Sequence, residues 1–303
     1  MAEFYSNGKL LLTAEYVVLD GAKALALPTK FGQGLTVESI DKPQLIWKGI
    51  DHNGNVWFED EFFFDEIASS QAPHNEISNR LFEILNVAKK LNPKFLSGKT
   101  GFNVTTKLDF PENWGLGSSS TLINNIAIWA KIDAYKLLEL TFGGSGYDIA
   151  CAQHNHPIIY QNNVLEKTSV VNAIDFNPSF KDQLYFIHLN QKQNSREGIE
   201  RYNLNKNNLS STVYEINTIT ENILTCKTLS EFELLITKHE QIISNLIDLP
   251  TVKSSLFSDF PGAIKSLGAW GGDFVLATGT QNKWSYFKSK GYHTIIPYTK
   301  MIL

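Results

Sequence analysis

Apolar positions along this chain alternate between a period of two and a period near 3.6, and the changes of period mark its elements. Leu10, Leu11 and Leu12 follow Gly8-Lys9 and predict a strand, as do Tyr16, Val17, Val18 and Leu19 ahead of the turn pair Asp20-Gly21. Leu45-Ile46-Trp47 and Val56-Trp57-Phe58 flank His52-Asn53-Gly54, and Asn-Gly between such runs predicts a hairpin. Ile77, Leu81, Ile84, Leu85 and Ala88 share one helical face, closed by Pro93. Further strands are predicted over 102–106, 157–160, 184–189 and 274–278, and helices over 121–130 and 133–140. The longest helix is predicted to begin at Ser230, with Glu233 completing a capping box and Phe232, Leu235, Ile236, Ile242, Ile243 and Leu246 as its apolar face. The polar run 203–208 reads as a surface loop. The pattern is mixed α/β with antiparallel content, in two halves joined near 160–182.

Composition narrows the class. In 303 residues, 43% are hydrophobic, enough for a packed core. Twenty-seven basic residues face 31 acidic ones, and the aromatics do not interleave with a basic run, which disfavours nucleic acid as a partner. No window approaches a membrane span, and the N-terminal residues lack the basic start and apolar block of a secretory signal. Two cysteines cannot form a disulfide framework. These features predict a cytoplasmic protein.

Three glycine-rich clusters carry the candidate chemistry. Gly115-Leu116-Gly117-Ser118-Ser119-Ser120 runs straight into a helix. Small residues there let main-chain N–H groups approach an anion, and the positive helix end adds to the attraction. The three serine hydroxyls can donate to phosphate oxygens or ligate magnesium; an ordinary capped helix after a loop accounts for the hexapeptide equally well. Neither the Walker loop nor the dinucleotide fingerprint is present. Asp148 follows Gly143-Gly144-Ser145-Gly146-Tyr147 and reads either as a helix-end partner or as a carboxylate that takes a proton from an attacking hydroxyl. His154 and His156 lack cysteine or carboxylate at ligand spacing and read as loop histidines.

In order, the clusters form a pattern. Residues 6–16 (SNGKLLLTAEY) resemble the first motif of the GHMP kinases, the galactokinase, homoserine, mevalonate and phosphomevalonate kinase superfamily. Residues 111–120 resemble its second motif, P-x-x-x-G-L-G-S-S-[AS], and Gly268-Ala269-Trp270-Gly271-Gly272-Asp273 its third. Ser145-Gly146-Tyr147-Asp148 is similar to the S-G-x-D of the catalytic aspartate, and residues 146–150 spell the GYDIA pentapeptide of one sub-group. The resemblance implies an α+β, two-domain fold, with a ribosomal protein S5 domain 2-like N-terminal domain over 1–170 and a ferredoxin-like C-terminal domain over 171–303. It implies ATP and Mg2+, a small-molecule phosphoryl acceptor, and relatives that are commonly homodimers.

By position, Asp148 and Lys9 would be catalytic. Gly115, Leu116, Gly117, Ser118, Ser119, Ser120, Gly271 and Gly272 would cradle the nucleotide. Glu15, Tyr16, Ser145 and Gly146 would lie toward the acceptor, with Ser119 and Glu139 as metal ligands. The run 15–18 and the Gly271-Gly272-Asp273 ending look more like mevalonate and phosphomevalonate kinases than sugar kinases. A sugar or amino-alcohol kinase, and a non-catalytic nucleotide- or metabolite-binding protein, are the alternatives. The chain departs from the pattern in a short segment between Thr121 and Asp148, in Ala14, and in Trp270, where the family has a small residue. No dense arginine cluster is evident for a phosphorylated acceptor; Lys192 and Arg196 are the obvious pair.

Overall fold

The computed structural model describes all residues except 70–74, 164–165, 167, 193–194 and 207–208. The chain forms two compact units, each assembled from non-contiguous segments. The first comprises Met1–Gly8, Phe31–Glu112 and Leu116–Gln153; the second comprises Lys9–Lys30, Asn113–Gly115 and His154–Leu303. Two strands pass from one unit to the other: β1 (Ala2–Leu11) and β2 (Ala24–Ile40), which pair with each other.

In the first unit, β3 (Gln44–Ile50) and β4 (Val56–Phe63) form the expected hairpin. Its turn is held by Asp51 Oδ1, which accepts from the main-chain N–H groups of Asn53 (2.9 Å) and Asn55 (2.8 Å). Helices α1 (Phe64–Ser69) and α2 (Glu76–Leu91) then lead to β5 (Gly101–Leu108). β5 pairs parallel with β3 and antiparallel with β2. α2 is capped by Asn75, whose side chain accepts from Ser78 N. Helices α3 (Ser118–Ala130), α4 (Ala134–Thr141) and α5 (Tyr147–Gln153) complete the unit. One apolar cluster unites strand residues such as Leu35, Trp47 and Val104 with Leu81, Leu85, Ile123, Ile126 and Ile149 of the helices. The alternating and 3.6-period stripes read from the sequence meet there.

The second unit continues with β6 (Ile158–Asn163) and β7 (Thr168–Ala173), antiparallel to each other, and β6 pairs with residues 24–26 of β2. β8 (Leu184–His188) is followed by α6 (Ser195–Asn205), α7 (Ser210–Thr225), α8 (Leu229–Ile247) and α9 (Val252–Leu256). After these come β9 (Ile264–Leu267), β10 (Phe274–Thr278), α10 (Trp284–Ser289), β11 (Ile295–Pro297) and α11 (Tyr298–Met301). The sheet is antiparallel, in the order β11-β8-β10-β9. Among the described residues no helix is long and apolar enough to cross a membrane.

Four local expectations are corrected. Residues 16–19 are not a strand: Tyr16 takes a left-handed φ of 64°, which breaks the extended chain, and Val17–Asp20 is a 3₁₀ turn closed by Gly21. The capping box is Thr228/Glu231, two residues ahead of Ser230/Glu233, because the tertiary fold gives Glu233 another partner, the hydroxyl of Thr278. α3 starts at Ser118 rather than Thr121, since the left-handed Gly117 ends the loop there. Of the polar run 203–208, residues 203–205 are the last turn of α6, whose Tyr202 is buried and anchors it; residues 207–208 lie outside those described.

Candidate functional site

In the first unit the second motif delivers its serines to a helix N-terminus. Gly117, at φ 90°, precedes α3, and Thr121 N closes the first turn on the Gly117 carbonyl at 3.0 Å. Ser120 is buried and its hydroxyl donates to that same carbonyl at 2.9 Å; Ser118 is half-buried and Ser119 exposed. Leu116 is fully buried and fastens the loop to the interior. Ser118 and Ser119 therefore stand beside the first N–H groups of α3, which have no carbonyl within the helix to bond.

Asp148 is half-buried in the first turn of α5, after Gly146, which has a φ of 87°. α5 packs directly on α3. A buried polar network fixes that packing. Gln153 Nε2 donates to Asn124 Oδ1 (2.9 Å), Asn124 Nδ2 to Ser6 Oγ (2.9 Å), and Ser6 Oγ to Asn125 Oδ1 (2.7 Å). Asn125 Nδ2 continues to the Gln33 carbonyl (2.9 Å), and Thr121 Oγ1 donates to Gln33 Oε1 (2.9 Å). Such a network is worth keeping only when each member is satisfied, and it sets one geometry for the two helices. Asn124, Asn125 and Gln33 were not legible as site residues, because an asparagine in a helical stripe has no local signature of burial. Glu139 lies on the exposed face of α4, where its carboxylate accepts from Lys136 Nζ at 2.7 Å. Ser145 is half-buried in the turn before α5.

In the second unit Lys9 Nζ donates to the Gly115 carbonyl at 3.1 Å. Gly115 has a φ of 65°, and a Cβ there would fall inside the van der Waals envelope of the Asp273 carboxylate. Glycine is needed at 115 on both counts. The third motif forms a turn in which Gly271 takes a φ of 80° and Gly272 N donates to the Ala269 carbonyl at 3.1 Å. Trp270 is buried: its main-chain N–H donates to Tyr16 Oη at 3.0 Å and its indole Nε1 to the Pro250 carbonyl at 2.9 Å. The large residue in the small-residue position is thus drawn toward the segment after α8.

Glu15 is 2% exposed and lies in a buried polar quartet with His239 and Glu240 of α8 and Lys265 of β9. Lys265 Nζ donates to a Glu15 oxygen, to Glu240 Oε1 at 3.1 Å and to the Ser266 carbonyl at 2.7 Å. His239 Nε2 accepts from Ala14 N at 2.9 Å. Burial, partly offset by Lys265, pushes Glu15 up to about 7 and raises Glu240 as well. Burial holds His239 well below its ordinary value, so the ring is neutral. Burial also works against the Lys265 charge, but Glu15 and Glu240 outweigh it and keep the ammonium above its ordinary range.

The folded state holds the Glu15 proton up to about 7 and the unfolded chain only to the ordinary 4.5, so ionisation of Glu15 removes stability as pH rises through that window. Glu15→Gln lacks this loss. The melting temperature of the variant relative to the native protein is expected to climb between about pH 4.5 and 7 and then level. A difference that is flat with pH, measured by thermal denaturation, would mean that Glu15 does not titrate there.

A cavity of about 600 Å³ lies in the second unit against Tyr16 and Trp270, and its rim carries Glu197, Glu200, Arg201 and Asp248. Gly198 of α6 has no room for a side chain against the Tyr16 ring, which stacks on Tyr202 at 5.9 Å. Among the described residues no three His, Cys, Asp or Glu side chains converge as a metal cluster. Of the Lys192/Arg196 pair, Lys192 is exposed, and the Arg196 side chain lies outside the described residues.

No protein-family model matches the chain, and no curated protein does. Solved structures do match. A mevalonate kinase is 16% identical with a TM-score of 0.70, covering 98% of each chain. A phosphomevalonate kinase of Streptococcus pneumoniae, in complex with phosphomevalonate and AMPPNP, is 14% identical with a TM-score of 0.71, covering 97% of this chain and 99% of that one. A galactokinase of Lactococcus lactis, complexed with galactose, is 13% identical with a TM-score of 0.68, covering 97% and 93%. The protein therefore has the two-domain α+β fold of the GHMP kinases, over nearly its whole length.

Proposed function

We propose that the protein is an ATP-dependent phosphotransferase, with mevalonate or phosphomevalonate as the foremost acceptors. The observation that supports this most directly is the placement, within one unit, of Ser118 and Ser119 in the first turn of α3 and of Asp148 in the first turn of α5, the helix packed against it. The kinases that share the fold, and the AMPPNP held by one of them, agree with this reading.

Phosphoryl transfer needs positioning and charge neutralisation more than covalent help from the protein. The N–H groups opening α3, with the Ser118 and Ser119 hydroxyls, would receive phosphate oxygens. Asp148 would orient the acceptor hydroxyl and take its proton as the acceptor oxygen bonds to the γ-phosphorus and the bond from that phosphorus to the bridging oxygen breaks, releasing ADP. Lys9, by holding the Gly115 carbonyl, would fix the backbone that leads into this loop. The donor set suits Mg2+, which typically takes one or two protein ligands and leaves its other positions to water and phosphate. The exposed Ser119 hydroxyl would hold it, whereas Glu139 lies on the exposed face of α4 in an ion pair with Lys136. Bound there, the ion would neutralise phosphate charge.

A second reading, a sugar or amino-alcohol kinase, has its own observation. The cavity beside Tyr16 carries three carboxylates and one arginine, a rim that favours a neutral or cationic acceptor over an anionic one. Mg-ATP with an acceptor panel and an ADP-release assay separates these. Turnover with mevalonate or phosphomevalonate is expected. Turnover confined to neutral polyols or amino alcohols would select the second reading. Stabilisation by Mg-ATP without turnover on any acceptor would leave a nucleotide-binding protein.

A further inference from the structure

The buried quartet invites explanation because apolar packing would fill the same space without the desolvation of charged groups. Replacing a buried ion pair by well-packed apolar residues is often neutral or stabilising, so stability alone is a poor reason to keep one. The quartet joins three places in the second unit: residues 14–15 after β1, His239 and Glu240 in the middle of α8, and Lys265 at the start of the strand entering the third motif. The first of these is strained. Ala14 and Tyr16, both non-glycine, take left-handed φ values of 68° and 64° on either side of Glu15. Such backbone persists only where its surroundings over-determine it. Here the His239 ring receives the Ala14 N–H, Lys265 holds Glu15, and Tyr16 Oη receives the N–H of Trp270. Lys265 also bonds the carbonyl of Ser266, so the strained turn is tied to β9 through Lys265 and to the glycine turn 268–272 through Tyr16 and Trp270.

We propose that Lys265 is a positioning residue: its buried ammonium clamps the segment carrying Lys9 and Tyr16 to β9, the strand that leads into the Gly268–Gly272 turn, so that both keep one fixed arrangement. The clamp stands on its own geometry; its consequence for nucleotide affinity rests on the kinase reading.

The test uses Lys265→Met and the double variant K265M/E240Q, which removes the ammonium together with the α8 carboxylate while leaving Glu15 in place. Hydrogen exchange resolved by peptide and Mg-ATP titration are the two readouts. In the double variant, segments 12–20 and 266–274 should exchange about tenfold faster, while the centre of α8 and β10 keep their protection, and Mg-ATP affinity should fall about tenfold. A melting temperature near the native one alongside these losses separates positioning from simple stabilisation. Unchanged protection of both segments would overturn the clamp, as would recovery of native nucleotide affinity together with the melting temperature. If neither variant folds, the native protein decides: in a denaturant series the two segments should open together, and independent opening would overturn the proposal. Failure of the native protein to bind Mg-ATP would remove the kinase reading, and hydrogen exchange alone would then decide whether the clamp exists.

Discussion

Asp148→Asn is expected to lower the rate of phosphoryl transfer by about a hundred- to ten-thousand-fold, the usual worth of a positioned proton acceptor, while nucleotide binding survives. The substitution preserves shape and half-burial in the first turn of α5, so the Asn124–Gln153 hydrogen bond and the packing of α5 on α3 should persist. What is lost is the charge that receives the acceptor's proton. Steady-state ADP release gives kcat, and calorimetry gives the Mg-ATP dissociation constant. A normal kcat would remove Asp148 from the chemistry. An equal loss in affinity and kcat would instead make it chiefly a ligand for the metal–nucleotide complex.

The second large effect concerns Gly115. A methyl group there meets the Asp273 carboxylate, and the residue must hold a φ of 65°. Left-handed backbone costs an L-residue about 1–2 kcal/mol, and forced overpacking about 1–3 kcal/mol more. Gly115→Ala should therefore melt on the order of 10 °C lower, at roughly 2–4 °C per kcal/mol for a chain of more than 150 residues. Because Lys9 bonds the Gly115 carbonyl, Mg-ATP affinity should fall as well. Adding Asp273→Ala should recover the overlap component and leave the backbone component. A single variant that melts like the native protein would show that neither the left-handed backbone nor the overlap with the Asp273 carboxylate carries a cost at this position.

How much of the fold and site is legible in the sequence differs by element. The β3–β4 hairpin and α2 lie open because each is specified locally: Asn53-Gly54 sets the turn, and Ile84, Leu85 and Ala88 set the buried face. The three glycine clusters are legible too, since main-chain approach and positive φ demand glycine wherever they occur. Residues 16–19 mislead because β-branched and aromatic residues suggest a strand, whereas the buried tie from Tyr16 to Trp270 holds the chain in a tight turn. The capping box slips by two residues for a related reason: both Thr228/Glu231 and Ser230/Glu233 fit the spacing, and a side chain distant in sequence, Thr278, engages Glu233.

The amino-acid order by itself determined the elements with strong periodicity and the places where small residues leave main-chain N–H groups open to an anion. Only the tertiary structure decided that Glu15 is buried against Lys265, Glu240 and His239, that Trp270 turns toward Pro250, and that a network of asparagines holds α5 on α3. The physical reason is range. Periodicity and turn chemistry act over a few residues, whereas Glu15 and Lys265 are 250 positions apart, and their pairing becomes favourable only once folding has removed both from water.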